Sequence, residues 1–222
     1  MSFPLMPFGG GVELLNSTSV VAQATSNSST IVVPATAIAG NLLILADAPD
    51  FSSNNPTIVV PTGFTLLATQ GYGASLSNGA AVSVKIASAS DAGSTLTGMN
   101  GNQGNAKSLF VVRGDIDIKS FSAAINKDGT NSDAAPSSQT ASGTGVVAPA
   151  IVIGVAAGTN SGGSISLTQF PSFTTTSSTT SGGNDLTQGF SSVAAGASAF
   201  NQLIDMGDNG SNTLLVFGFE VR

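Results

Sequence analysis

The stretch AAVSVKIA, residues 80–87, is the part of the chain that decides the fold class. Its two valines and its isoleucine alternate with Ser83 and Lys85. This two-residue period is that of a β-strand with one apolar and one polar face. We therefore predict a half-buried strand here.

Short apolar, β-branched runs of the same kind recur along the chain and are separated by turn residues and polar segments. The runs are Ser19–Ala24, Thr30–Val33, Leu42–Ala46, Phe64–Thr69, Leu109–Val112, Val146–Ala157 and Thr213–Val221. No stretch shows a clean helical period with a capping box, although the Ala-rich residues 191–203 leave a helix open as an alternative. The pattern predicts an all-β fold: a two-sheet antiparallel sandwich, jelly-roll-like.

The chain divides into an extended N-terminal arm, residues 1–15, and a single β-sandwich domain, residues 16–222. Two pairs of segments within that domain resemble each other. GNLLILA at 40–46 is similar to PAIVIGV at 149–155, and SLFVVRG at 108–114 is similar to TLLVFGF at 213–219. Chance similarity between apolar strands is one explanation. Two pseudo-repeated halves, 16–125 and 135–222, are the other.

The charge content limits the classes of partner. The 222 residues include 6 Lys and Arg against 12 Asp and Glu, a net charge of -6, and only 8% of residues are charged. Binding to nucleic acid or to an anionic membrane rests on basic side chains, so neither is expected. Cysteine is absent, which excludes disulfides and thiolate metal sites.

No targeting segment is expected. The first eleven residues lack the cationic and long apolar regions of a signal peptide, and the longest apolar stretch, 146–158, is too short to span a bilayer. We therefore expect a soluble protein made in the cytoplasm.

Catalysis is not expected. The chain has no histidine, the residue that most often performs acid–base work at neutral pH. Its glutamates, Glu13 and Glu220, lie near opposite ends of the sequence, and its lysines show no signature spacing beside a nucleophile. We predict a protein that is not an enzyme.

Two loops rich in oxygen ligands raise a calcium hypothesis. Residues 126–133 and 205–212 each contain several Asp and Asn side chains, and Ca²⁺ takes six to eight oxygens. The candidate ligands are Asp128, Asp133, Asp205 and Asp208. The alternative is that these residues only form turns, so no cofactor is otherwise expected.

The N-terminal arm carries four large apolar side chains, Phe3, Leu5, Met6 and Phe8, interleaved with prolines and followed by a run of glycines. Proline disfavours a helix and the glycines provide a hinge. Leaving four such side chains in water is unfavourable. Either the arm docks into a neighbouring subunit, or it packs on its own sandwich.

Several segments in the first half together resemble a known group of proteins. They are VP at 33–34 with AGNLL at 39–43, PTGFTLL at 61–67, KIASASDAGST at 85–95 and VRG at 112–114. This series is similar to the run VPAG…GDLLL…PxGWTLL…YKVA…DAGST…YRG of β-sandwich proteins from tailed bacteriophages. Phe64 stands where that group has Trp, and Asn41 where it has Asp.

The resemblance implies a structural protein of a tailed-bacteriophage virion, present in many copies and displayed on the particle surface as a capsid decoration or a tail or fibre component. Such a protein would be assembled in the host cytoplasm. Its partners would be copies of itself, with a trimer preferred, and neighbouring capsid or tail subunits. The alternative is a host-binding adhesin or receptor-binding tip. Its ligand platform would use loop aromatics: Tyr72, Phe170, Phe173 and Phe190.

Overall fold

The chain is described here by a computed structural model. The described residues are 19–50, 58–71, 79–99, 103–113, 125–130, 138–144, 150–159, 174–181, 184–193, 199–205 and 211–220. Every regular element within these ranges is a β-strand, and none is a helix. The all-β prediction is therefore confirmed for the described part of the chain. Strands also occupy both ends of the Ala-rich segment for which a helix was the alternative.

The strands up to residue 113 coincide with apolar runs of the sequence, except for the short strand at Thr95–Leu96. They are β1 (Ser19–Ser26), β2 (Ile31–Val32), β3 (Leu42–Asp50), β4 (Thr65–Gly71), β5 (Gly79–Ile86), β6 (Thr95–Leu96) and β7 (Gln103–Arg113). Five of them form an antiparallel sheet, sheet I, in the order β1-β7-β3-β5-β4, while β2 pairs with β6.

The strands from residue 125 onward include several with polar sequences. They are β8 (Ile125–Thr130), β9 (Ser138–Thr144), β10 (Ala150–Thr159), β11 (Thr175–Ser181), β12 (Asn184–Val193), β13 (Ala199–Asp205) and β14 (Ser211–Glu220). Five of them form a second antiparallel sheet, sheet II, in the order β11-β12-β10-β14-β8, while β13 pairs with β9.

The two sheets have the same strand order. Counted from its own first strand, each half places its third strand at the centre, its first and fourth strands at the edges, and its second strand in a pair with its sixth. All strands of sheet I lie before residue 114, and all strands of sheet II lie after residue 124. The described strands of each five-stranded sheet therefore come from one continuous part of the chain.

One core cluster contains side chains from both sheets. Sheet I contributes the apolar residues Leu42 to Ala48 at even positions of β3, with Phe110 and Val112, and sheet II contributes Ile153, Leu186 and Phe190. In keeping with this shared core, β12 lies against β3 and β7, and β10 lies against β5.

The other face of sheet I carries a second core cluster. Here Leu43 and Leu45 of β3 and Leu109 of β7 pack with Ile31 of β2 and Leu96 of β6. Successive side chains of a strand point to opposite faces of the sheet. Because both faces of sheet I are covered at β3 and β7, these strands have apolar residues on both faces. The half-buried strand predicted at residues 80–87 is wrong on one face, since Ser83 is buried.

Candidate functional site

Three of the segments that carry the resemblance, at 33–43, 61–67 and 85–95, come together on one face of sheet I. We call residues 33–41, 61–64 and 87–95 the outer turn cluster. The Val33 amide donates to the Ser94 carbonyl (2.9 Å), and the Gly93 amide donates to the Val33 carbonyl (3.1 Å). The Gly40 amide donates to the Ala87 carbonyl (2.9 Å), which ties the turn before β3 to the end of β5.

Asn41 organises one of these turns. Its side-chain Oδ1 accepts from the Ile38 amide (3.0 Å), while its backbone carbonyl accepts from the Ala87 amide (2.8 Å). An Asx side chain commonly bonds a nearby backbone amide in this way and so fixes a turn. Gly40 lies within the same turn at φ 89, a conformation that glycine adopts without a steric penalty.

Asp91 is the polar centre of the outer turn cluster. Its Oδ1 accepts from Lys85 Nζ at 2.6 Å, and its Oδ2 accepts from the Ser88 amide (2.6 Å) and from Ser88 Oγ (2.8 Å). Burial acts to raise the pKa of Asp91. The hydrogen bonds from Lys85 and Ser88, with the charge of Lys85, outweigh that effect and hold the pKa of this carboxyl below its usual value.

The PTGF turn lies against the same lysine. Gly63 has φ 83, and a Cβ built on it would come within 3.3 Å of Lys85 Cε. Glycine at this position therefore permits the positive φ of the turn and leaves room for the methylene groups of Lys85. The lysine is in turn held toward Asp91, so two of the resembling segments are joined through one side chain.

A second ion pair lies within sheet I itself. Asp47 of β3 and Lys107 of β7 are direct partners across the ladder, and Lys107 Nζ lies 2.8 Å from Asp47 Oδ1. The Lys107 side chain is 0% exposed and that of Asp47 is 8% exposed. Burial raises the pKa of Asp47, and the charge and hydrogen bond of Lys107 offset this only in part. The carboxylate therefore depends on its lysine to stay charged at this depth.

A few buried polar groups lie between or beside the sheets. Gln188 of β12 donates from Nε2 to the Ile44 carbonyl of β3 at 3.4 Å, which links the two sheets. The hydroxyls of Ser108 and Thr187 and the Gln188 Oε1 are buried, and no hydrogen-bond partner for them lies within the described ranges.

The two ion pairs described above share one arrangement. In both ion pairs the two partners lie in sheet I or in the turns that cover it, and each carboxylate is bonded to a lysine. Among the described residues, no group of three or more His, Cys, Asp or Glu side chains lies close enough together to hold a metal ion.

The candidate calcium ligands are only partly within the described residues. Asp128 belongs to β8, where it is the ladder partner of Leu214, and Asp205 ends β13 as the partner of Ser138. Both were expected in loops, and both lie in strands. Asp133 and Asp208 lie outside the described residues, so the full set is not brought together there.

The aromatic platform loses one of its members. Phe190 was expected on a loop, but it lies in β12 with 2% of its surface exposed, in the core cluster shared by both sheets. It is therefore a core residue, with no face free for a sugar ring. Tyr72, Phe170 and Phe173 lie outside the described residues, as do the arm residues Phe3, Leu5, Met6 and Phe8.

The Asp47–Lys107 pair was missed by sequence reasoning, although the sequence holds a signal for it. Asp47 directly follows the apolar run LLILA, and Lys107 directly precedes SLFVV. A single charge adjoining a run that reads as a central strand requires a partner, since an unpaired charge is strongly disfavoured inside a protein. Two such charges of opposite sign were available.

No protein-family model matches the chain, and a comparison with curated proteins finds no match either. Within the described residues, no helix is long and apolar enough to cross a membrane.

Proposed function

We propose that this chain is a structural protein of a tailed-bacteriophage virion, present in many copies and displayed on the particle surface. The observation that carries the proposal is the outer turn cluster. Segments far apart in the sequence, which resemble those of phage β-sandwich proteins, meet there. Backbone hydrogen bonds of Val33, Gly40 and Asn41 with residues 87–94 join them. Their polar atoms are used to hold turns, which fits a role in architecture.

We further propose that sheets I and II form a two-sheet sandwich built from two similar halves. The shared core cluster supports the packing, because Phe110 of one sheet and Phe190 of the other belong to it. The repeated strand order supports the two halves. On this view the second half begins at β8, near residue 125, and a duplicated sandwich replaces the jelly roll.

The low fraction of charged residues supports a place in an assembly. Only 8% of the residues are charged, so few charged side chains would lose water or meet a like charge when copies pack side by side. The partners proposed are copies of the chain and neighbouring capsid or tail subunits. The apolar arm residues Phe3, Leu5, Met6 and Phe8 are proposed to dock into a neighbouring subunit. Deletion of residues 1–11 is then expected to release the protein from the particle.

The experiment that tests the proposal is immunogold electron microscopy of purified phage particles from the host in which the chain is made. The expected result is regular labelling of the capsid, tail or fibres. Antibody against an unrelated host protein of similar size is the control. Particles that stay unlabelled under conditions that label the purified protein would contradict the proposal.

A parallel measurement separates the structural role from host binding. The purified chain is labelled with a fluorophore and incubated with host cells. A structural protein is expected to show no more binding than a labelled control protein. Saturable binding that unlabelled protein competes away would favour a receptor-binding tip.

A further inference from the structure

The edges of the two five-stranded sheets differ in how they are protected. Sheet I ends in β1 and β4, and sheet II ends in β11 and β8. An edge strand leaves a row of backbone N–H and C=O groups unpaired, and such a row can pair with another chain. Proteins that stay monomeric usually block their edges with charges, prolines or bulges.

Three of these four edges carry such protection. β1 has a register shift between Val20 and Ala22, and β4 has one between Leu66 and Ala68. β8 has the sequence INKDGT and so places a lysine and an aspartate on its edge. Bulges twist an edge away from a partner, and charges oppose its burial.

The edge strand β11 has neither a bulge nor a charge. Its sequence is TTSSTTS, and it pairs with β12 without a register shift from Thr175 to Ser181. Threonine favours extended backbone, and the strand holds no proline that would remove a donor. The β11 edge of sheet II therefore has a regular register and no charged residue, and both features favour pairing with another strand.

We propose that β11 pairs antiparallel with β11 of a second copy of this chain about a two-fold axis, which joins two copies of sheet II into one continuous sheet. In an antiparallel pair of identical strands about such an axis, one residue faces its own copy. With Ser178 at the axis, Thr176 faces Thr180 of the second copy, and Ser177 faces Thr179 of the second copy. All seven residues of β11 are then paired.

A second copy is the occupant that fits this edge because the strand is complementary to itself. Every cross-strand pair is hydroxyl to hydroxyl, and Thr–Thr and Thr–Ser pairs form favourable hydrogen bonds across strands. No like charges meet in this arrangement. The inference stands apart from the virion proposal, since it rests on sheet II alone and holds for a free protein in solution.

The first test compares Ser178→Lys with Thr62→Lys by sedimentation velocity over a range of concentrations. Thr62 is exposed in the PTGF turn, so the control adds the same charge away from β11. We expect the unmodified chain and Thr62→Lys to form assemblies with an even number of copies. Ser178→Lys places like charges opposite each other and should weaken pairing by at least about tenfold. An unmodified chain that is still monomeric at about 100 µM, or that forms only a trimer, overturns the proposal.

The second test does not depend on the lysine variant folding well. The chain has no cysteine, so Ser178→Cys introduces a single thiol. Facing residues in an antiparallel pair have Cβ atoms about 4.5–5.5 Å apart, close enough for a disulfide with small adjustment. Mild oxidation should convert Ser178→Cys into a covalent dimer much faster than Thr62→Cys. Equal rates for the two variants would refute the pairing.

Discussion

The buried pair Asp47–Lys107 gives the sharpest prediction about stability. Asp47→Asn keeps the size of the side chain and an acceptor oxygen but removes the negative charge. Lys107 would then hold an unpaired charge in a site where its side chain is 0% exposed. Removing one partner of a buried ion pair typically destabilises a protein by about 3–5 kcal/mol, and we expect that range here.

Replacing both partners should have a much smaller effect. In the double variant Asp47→Leu with Lys107→Met, no charge is left at this buried pair of positions. Exchange of a buried pair for apolar residues of similar volume is often neutral or stabilising. The two positions are direct ladder partners, so their substitutions should be strongly non-additive.

The assay is urea-induced unfolding at pH 7 for the wild type, for Asp47→Asn, for the single variants Asp47→Leu and Lys107→Met, and for the double variant. Lys85→Met is the control, because it breaks the pair in the outer turn cluster, where the lysine side chain is 21% exposed. That variant should lose about 1 kcal/mol or less, as partly exposed pairs do. A loss below about 1 kcal/mol for Asp47→Asn would refute the reasoning, because the pair would then behave like a surface pair.

Three further predictions concern the turns and the core. The pKa of Asp91 is lowered in the fold, so its bonds add stability above its ordinary value of 3.8, and this stability is lost as the pH falls through the lower, folded value. Asp91→Asn should therefore be less stable than the wild type at pH 7, and the gap should close as the pH falls below 3.8 in thermal unfolding followed by circular dichroism. Gly63→Ala should lower the free energy of unfolding by more than Gly40→Ala, about 2 against about 1 kcal/mol, because both have positive φ but only the first meets a side chain; equal losses in urea titrations would contradict this. Phe190→Ala should destabilise by about 3–5 kcal/mol as a core residue, whereas a loss below about 0.5 kcal/mol would indicate an exposed ring.

Most strands of the first half could be predicted because they contain an apolar run bounded by turn residues, whereas β6 lies in no such run. The run Leu42–Ala46 became β3 and Leu109–Val112 became the end of β7. The polar strands β9 and β11 could not be assigned in the same way. Their Ser- and Thr-rich sequences carry no alternation, so their extended conformation is fixed by the strands they pair with.

The burial of whole faces could not be read from local sequence either. Ser83 alternates with valines, which normally indicates a wet face, yet the layer of β2 and β6 lies on that side of the sheet. The ion pair depends on a register between residues 47 and 107 that no local pattern specifies. Phe190 was assigned to a loop for the same reason, because its strand is recognisable only next to β10 and β11.

For the candidate site too, one part could be predicted from the sequence and another could not. The turn motifs could be recognised from their residues, and the structure brings them together in the outer turn cluster. The bonds that give Lys85 and Asp91 their roles arise only from the folded arrangement of β5 and its following turn. The function of the chain rests on the resemblance, which stays a proposal.

Copy number per purified phage particle is the measurement that tests the central claim most directly. It is obtained by quantitative mass spectrometry with isotope-labelled peptides, against the major capsid protein of the same particle. A structural role predicts a fixed multiple of copies, either in the hundreds for a capsid decoration or between about three and a few dozen for a tail or fibre component. Particles that contain the capsid protein but no detectable peptide of this chain would contradict the account.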